Sequence, residues 1–283
     1  MILADKGRTI NVRGKLLSLD APLVMGILNV TPDSFYATSR QQTEDAVARR
    51  IDEMIAEGAD IIDVGGCSTR PGGVLATDAE ERERLRMALG VVMRRHPNAV
   101  VSVDTFRPEV ARMAVEEFGA AIINDVSEGG RLTGDSAVPS SADVPEMFAM
   151  VARLRVPYVL TSVRPTLDEM LPSLAEEVGL LHSLGVSDIL IDPGFGFGKD
   201  LRQNYQLMAR LEHLHALRQP LLVGVSRKSM LWRLLDTTPE ATLPATTALH
   251  AMALMKGASV LRVHDVAAAV QVCKVVEATR SCE

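Results

Sequence analysis

The chain has 283 residues, 47% of them hydrophobic and only 4% aromatic, with a formal net charge of −6. Such a length suits one large α/β barrel, which takes about 250 residues. A net negative charge with scattered Lys and Arg argues against nonspecific binding to nucleic acid or anionic membranes, which calls for clustered positive charge.

No stretch approaches the roughly 20 apolar residues of a membrane span, and the N-terminus lacks an apolar signal core. The three cysteines, Cys67, Cys273 and Cys282, form no C-x-x-C pair, so a reduced, cytoplasmic protein is expected.

Thr9-Ile-Asn-Val-Arg13 and Lys15-Leu-Leu-Ser-Leu19 flank Gly14. They predict a small hairpin within residues 1–20 that closes a barrel's bottom. Short apolar runs then recur: Met25–Asn29, Ile61–Asp63, Val100–Asp104, Ile122–Asp125, Pro157–Thr161, Ile189–Asp192, Leu221–Ser226 and Val260–His264. All-apolar runs of this length are what strands buried on both faces look like. Most of these end in a polar or charged residue, as expected where strand C-termini form a catalytic rim.

Helical periodicity fills the intervals at 43–57, 78–95, 108–117, 143–154, 166–184, 202–217, 241–256 and 265–278. In 108–117, Pro108 suits the first helical position and Val110, Ala111, Ala114 and Val115 follow the helical period. With no linker, repeat or low-complexity tract, residues 1–283 are expected to form a single (β/α)8 barrel domain of the α/β class. The Gly- and Ser-rich stretch from Glu128 to Ser141 would open onto the rim after the fourth barrel strand.

The rim segments carry the chemistry. Asn29-Val-Thr-Pro-Asp33-Ser34-Phe35 offers oxygen ligands that suit a hard cation such as Mg2+. Asp63 leads into a Gly-rich loop holding Thr69, Arg70 and Pro71. Asp192-Pro-Gly-Phe-Gly-Phe-Gly-Lys199 is neither a Walker loop nor a dinucleotide fingerprint, because its glycines alternate. Its Asp192 offers two acceptor oxygens to adjacent N–H donors, as on an amino-pyrimidinone edge. Ser226-Arg-Lys-Ser229 and Arg262-Val-His264-Asp265 follow the seventh and eighth strands, where barrel phosphate sites are built. Arg262 lies in an apolar run, where an unpaired charge would be costly. His96, His182, His213, His215 and His250 fall in or near helix patterns without metal-ligand spacing and read as surface or packing residues.

Together these segments resemble the dihydropteroate synthase family. The match runs through Gly26–Phe35, Asp63–Gly72, Ser102–Thr105, Ile123–Asp125, Asp192–Lys199, Gly224–Ser229 and Leu261–Val266, in family order. The resemblance implies a (β/α)8 barrel, a homodimer, and sulfonamides as inhibitors of the site. Its small-molecule substrates would be 6-hydroxymethyl-7,8-dihydropterin diphosphate and p-aminobenzoate, joined with release of pyrophosphate.

By matching position, Asp104, Asn124, Asp192, Lys228 and Arg262 hold the pterin. Asn29, Asp63, Arg262 and His264 match the diphosphate region, with Asn29 toward Mg2+. Phe35, Thr69, Arg70, Pro71, Phe197 and Ser229 surround p-aminobenzoate, and Lys228, Arg262 and His264 form the catalytic set. The chain departs from the family at Tyr36–Ser39, at Cys67 (usually Glu), at Asp200 (usually Thr) and at Leu160-Thr-Ser162 (commonly Met-His-Met). Two further readings share the pterin grip: a pterin-dependent methyltransferase domain and a noncatalytic pterin-binding paralogue.

Overall fold

The computed structural model describes residues 7–31, 40–68, 75–130 and 144–282. Eight parallel strands close into a barrel: β3 (Leu23–Asn29), β4 (Ile61–Gly65), β5 (Val100–Asp104), β6 (Ile122–Asp125), β7 (Tyr158–Thr161), β8 (Ile189–Asp192), β9 (Leu221–Val223) and β10 (Ala258–Val263), with β10 pairing back onto β3. Before them, β1 (Thr9–Val12) and β2 (Lys15–Ser18) form an antiparallel hairpin.

Side chains alternate along each barrel strand, and the two faces do different work. Outward residues such as Val24, Leu28, Ile62, Val64, Val103, Tyr158, Leu160, Ile191, Val223 and Leu261 join the helices in one large core. Inward residues near the strand starts, Met25, Ile61, Ile122, Val159, Leu190, Leu222 and Val260, form a second core with Ile10, Val12 and Leu19 from the hairpin segment. The hairpin is also tied down by the Asn11 amide donating to Asp188 Oδ2 at 2.9 Å. The lower half of the barrel interior is therefore apolar and closed by the hairpin. Towards the strands' C-terminal ends the inward positions include Asp63, Asp104, Asn124, Thr161, Asp192 and Arg262, so the polar half lies at the C-terminal mouth.

The outer layer comprises α1 (Arg40–Ala56), α2 (Asp78–Arg95), α3 (Pro108–Phe118), α4 (Glu146–Leu154), α5 (Leu167–Ser183), α6 (Leu201–Ala209), α7 (Ser229–Leu234), α8 (Leu243–Met255) and α9 (Val266–Arg280). Gly119 ends α3 in the left-handed region at φ 66°, where a glycine costs least. The helix expected over 202–217 breaks at Arg210 into α6 and a 3-10 turn, Leu211–Leu217. A 3-10 turn, Pro239–Thr242, precedes α8, which has Pro244 in its first turn. The short α7 is too brief to leave a periodic trace.

Candidate active site

At the mouth the inward strand ends meet. Asp63 on β4 is fully buried, and its Oδ2 accepts Arg262 Nε at 2.7 Å and Asn124 Nδ2 at 3.1 Å. Arg262 Nη2 donates to Asp104 Oδ2 at 2.6 Å, so one guanidinium from β10 bridges carboxylates on β4 and β5. These are short charge-assisted bonds in a buried setting. Burial raises the Asp104 pKa to about 7, with Arg262 opposing and the Asp63 charge adding to the rise. For Arg262 burial disfavours the cation, but the Asp63 and Asp104 charges outweigh it and its pKa is raised. Among the described residues Asp63 Oδ1 and Asn124 Oδ1 are buried with no hydrogen-bond partner, which leaves acceptors on offer to a ligand with N–H groups.

The β8 end supplies a second group. Asp192 Oδ1 accepts the Gly194 amide at 2.8 Å. Burial raises the Asp192 pKa, while the nearby Lys228 charge lowers it. The loop that follows is possible only with glycine. Gly194 has φ +68°, and a Cβ there would stand 2.0 Å from the Ser162 carbonyl oxygen. At Gly198, φ +62°, a Cβ would stand 2.5 Å from the Val163 carbonyl oxygen. Lys199 is turned inward and donates to the carbonyls of Ser162 at 3.3 Å, Gly194 at 3.0 Å and Phe197 at 3.0 Å, fixing the loop to the end of β7. Against it lies Lys228, whose Nζ donates to the Phe195 carbonyl and sits 4.3 Å from the Phe197 ring centroid. Burial lowers the Lys228 pKa to about 8, with Asp192 opposing.

Beyond β9 and β10 lies a cavity of about 410 Å³ lined by Arg50, Arg227, His264, Asp265 and the first residues of α9. Arg227, at φ 55°, pairs with Asp265 through two bonds of 2.6 and 3.2 Å. With Asp265 so engaged, no side chain among the described residues caps the α9 N-terminus. Its first-turn N–H groups and positive dipole end favour an anion there. His264 Nδ1 lies 3.1 Å from Ser226 Oγ.

The structure thus gathers Asp63, Asp104, Asn124 and Arg262 in one bonded cluster and Asp192, Phe197 and Lys228 in a second. Asn29 ends β3, and its Oδ1 lies 3.2 Å from where a Cβ on Gly65 would be. Ser229 opens α7. Phe35, Thr69, Arg70 and Pro71 lie outside the described residues. Asp63 has no exposed surface and faces Arg262 and Asn124, deeper than the rim position expected for it. Asp125, quoted in the same motif as Asn124, points outward and accepts from Tyr158 Oη at 2.6 Å and from Ser127 and Gly129.

Sequence reading passed over Lys199 as part of a glycine loop, and it carried no signal for Arg50, whose Nη2 donates to the His264 carbonyl at 2.7 Å from 214 positions away. The substituted Asp200 is the N-cap of α6: it accepts the Gln203 amide at 2.7 Å while Gln203 Oε1 accepts its own amide at 2.8 Å. Capping is a task that Asp and Thr both perform, which accounts for that departure.

Residues 25–264 match the family described as pterin binding enzyme. The chain is 38% identical over 275 residues to the dihydropteroate synthase of Escherichia coli K12, covering 95% of each chain. Among solved structures it is similar to the Xanthomonas albilineans dihydropteroate synthase with 4-aminobenzoic acid, at TM-score 0.84 and 38% identity over 96% of this chain and 98% of that one. It is also similar to the Yersinia pestis enzyme in complex with a sulfonamide drug, at TM-score 0.84 and 35% identity over 98% of this chain and 100% of that one.

Proposed function

Since the chain belongs to the pterin-binding enzyme family, and within it to the dihydropteroate synthases, we propose that the mouth of its barrel is where that reaction runs. The enzyme is a transferase of folate biosynthesis. It joins 6-hydroxymethyl-7,8-dihydropterin diphosphate to p-aminobenzoate, giving 7,8-dihydropteroate and pyrophosphate.

The observation that carries the assignment to this mouth is the convergence of Asp104, Asn124, Asp192, Lys228 and Arg262 at inward-facing strand ends and in the loop after β9. Asp192, Asn124 and Asp104 offer acceptors to a flat ring bearing N–H donors, and Lys228 and Arg262 offer the matching cations. Asp63 holds Arg262 and Asn124 in place through Oδ2. Phe197 and Lys228, joined by their cation–π contact, form one wall for p-aminobenzoate together with Ser229; Phe35, Thr69, Arg70 and Pro71, also expected there, lie outside the described residues.

The barrier lies in parting a highly negative leaving group from the pterin methylene carbon. Arg262, His264 and the uncapped α9 N-terminus are positioned to meet charge growing on the departing diphosphate. The electron-rich pterin spreads the positive charge left on the methylene, and ionised Asp104 and Asp192 favour that cation. The p-aminobenzoate amine, held at near-attack distance, attacks as the neutral nucleophile and loses its proton afterwards.

A Mg2+ ion fits this site through Asn29, whose neutral amide oxygen ends β3. Among the described residues no group of three or more His, Cys, Asp or Glu could hold a metal. When bound, the ion neutralises charge on the diphosphate.

Homodimer formation is supported by the exposure of Met252 and Met255 on α8 and Val275 on α9, 49%, 49% and 65% accessible, on two helices that pack together. The free thiols of Cys67, Cys273 and Cys282 support a reducing, cytoplasmic setting. Among the described residues no helix is long and apolar enough to cross a membrane.

The test is a coupled assay for pyrophosphate with both substrates. Release that requires p-aminobenzoate and yields dihydropteroate in equal amount is expected. Absence of release, or release indifferent to p-aminobenzoate, refutes the reading.

A further inference from the structure

His264 follows the last residue of β10, and its main chain is held on both sides. Its carbonyl accepts Arg50 Nη2 at 2.7 Å, and its amide donates to Ser226 Oγ at 3.2 Å. The same Ser226 oxygen lies 3.1 Å from the ring Nδ1.

A hydroxyl has one proton to give and two lone pairs to offer. The His264 amide can only donate, so it takes one lone pair. Among the described residues, the Ser226 hydroxyl proton has no acceptor other than Nδ1. Were Nδ1 itself protonated, it would take the second lone pair and leave the hydroxyl proton of a buried serine, 6% accessible, without a protein partner. Buried donors are seldom left so. The arrangement that satisfies every group has Ser226 donating to Nδ1.

We propose that Ser226 is a positioning residue that fixes the ring orientation of His264 and holds it as the Nε2–H tautomer. The inference rests on the synthase reading of the mouth, in which a neutral Nε2–H donor is what a departing diphosphate oxygen requires. A ring with its proton on Nδ1 would present a lone pair to that oxygen instead. The first serine of Ser226-Arg-Lys-Ser229 thus acts through His264 and touches no substrate.

Tautomers are read directly by long-range 1H–15N correlation on the full-length protein labelled at histidine, with the His264 signals identified by their loss in His264→Gln. At a pH where the ring is neutral, the parent should show Nδ1 unprotonated and Nε2 protonated. In Ser226→Ala both nitrogens should move toward the averaged values of a free imidazole. In that variant kcat for pyrophosphate release should fall about 10- to 100-fold, the usual cost of losing an outer-shell partner, with the KM for p-aminobenzoate little changed. Ser226→Thr, which keeps the hydroxyl, should restore both the shifts and the rate.

A parent ring protonated on Nδ1, or unchanged nitrogen shifts in Ser226→Ala, overturns the proposal. A parent that releases no pyrophosphate defeats the synthase reading instead, while the nitrogen shifts still decide the role of Ser226.

Discussion

Replacing Arg262 by Met keeps most of the side chain's length and removes the charge that bridges Asp63 and Asp104. The wild-type pair bonds are 2.7 and 2.6 Å, and the arginine side chain is only 16% accessible, so water cannot take its place. Breaking a buried ion pair from one side costs about 3–5 kcal/mol. The protein has one escape, which is to protonate the freed carboxylate. Asp104 already titrates at about pH 7 in the parent, so at pH 5–6 both proteins carry that proton and the cost falls on both alike. Above pH 7 only the variant must bind it, at about 1.36 kcal/mol per unit.

The destabilisation should therefore be nearly level at pH 5–6 and grow above pH 7, by about 1.4 kcal/mol per unit. The sign follows because the variant's folded state binds more protons than the parent's, so its deficit grows as pH rises. Urea unfolding of parent and variant at pH 5, 6, 7 and 8 measures this. In the pyrophosphate assay kcat should fall about a hundred- to a thousandfold, the worth of one oxyanion-stabilising donor. A stability loss that is flat across these pH values would refute the electrostatic account of the cluster. A kcat within a few fold of the parent would mean that Arg262 does not meet the leaving group.

Asp192→Asn should keep the fold but weaken pterin binding about ten- to a hundredfold, since one charge-assisted acceptor worth about 1.5–3 kcal/mol becomes a donor facing a donor; calorimetry giving parent-like affinity would remove Asp192 from the pterin site. Gly194→Ala forces a side chain into the left-handed region and onto the Ser162 carbonyl, so thermal unfolding should show a loss of at least about 1–3 kcal/mol; a parent-like midpoint would contradict the described loop. Binding of a pterin without the diphosphate should be strongest between about pH 7 and 8. Below about 7 Asp104 takes up a proton and loses its charge as an acceptor, and above about 8 Lys228 loses its cation. Asp104→Asn should abolish the acid limb, and titration by calorimetry that finds it intact would assign it elsewhere.

Much of the mouth was legible in the sequence because a buried parallel strand has a simple signature. Its apolar run stops where the barrel interior becomes polar, so Asp63, Asp104, Asn124, Asp192 and Arg262 announced themselves by position. What stayed hidden depends on direction and distance. Asn124 and Asp125 are neighbours in sequence but face opposite sides of the sheet, one toward Asp63 and the other toward Tyr158. Asp63 looked like a rim residue because a strand's end does not reveal how deep the mouth is at that point. The two bonds of Arg227 to Asp265 join loops that only the closed barrel brings side by side. Lys199, at the end of a glycine-rich stretch, gave no hint that it turns back onto three carbonyls.

The hairpin at the foot of the barrel has a consequence for traffic. Ile10, Val12 and Leu19 stop one end of the tube, which leaves a single doorway at the other. A cul-de-sac imposes an order on its occupants: whatever sits deepest enters first and departs last. A ring seated on Asp104, Asn124 and Asp192 lies further in than anything resting on Phe197 and Ser229. Under the proposed function such a ring would take its place before p-aminobenzoate, and pre-incubation with p-aminobenzoate alone should slow the first turnover.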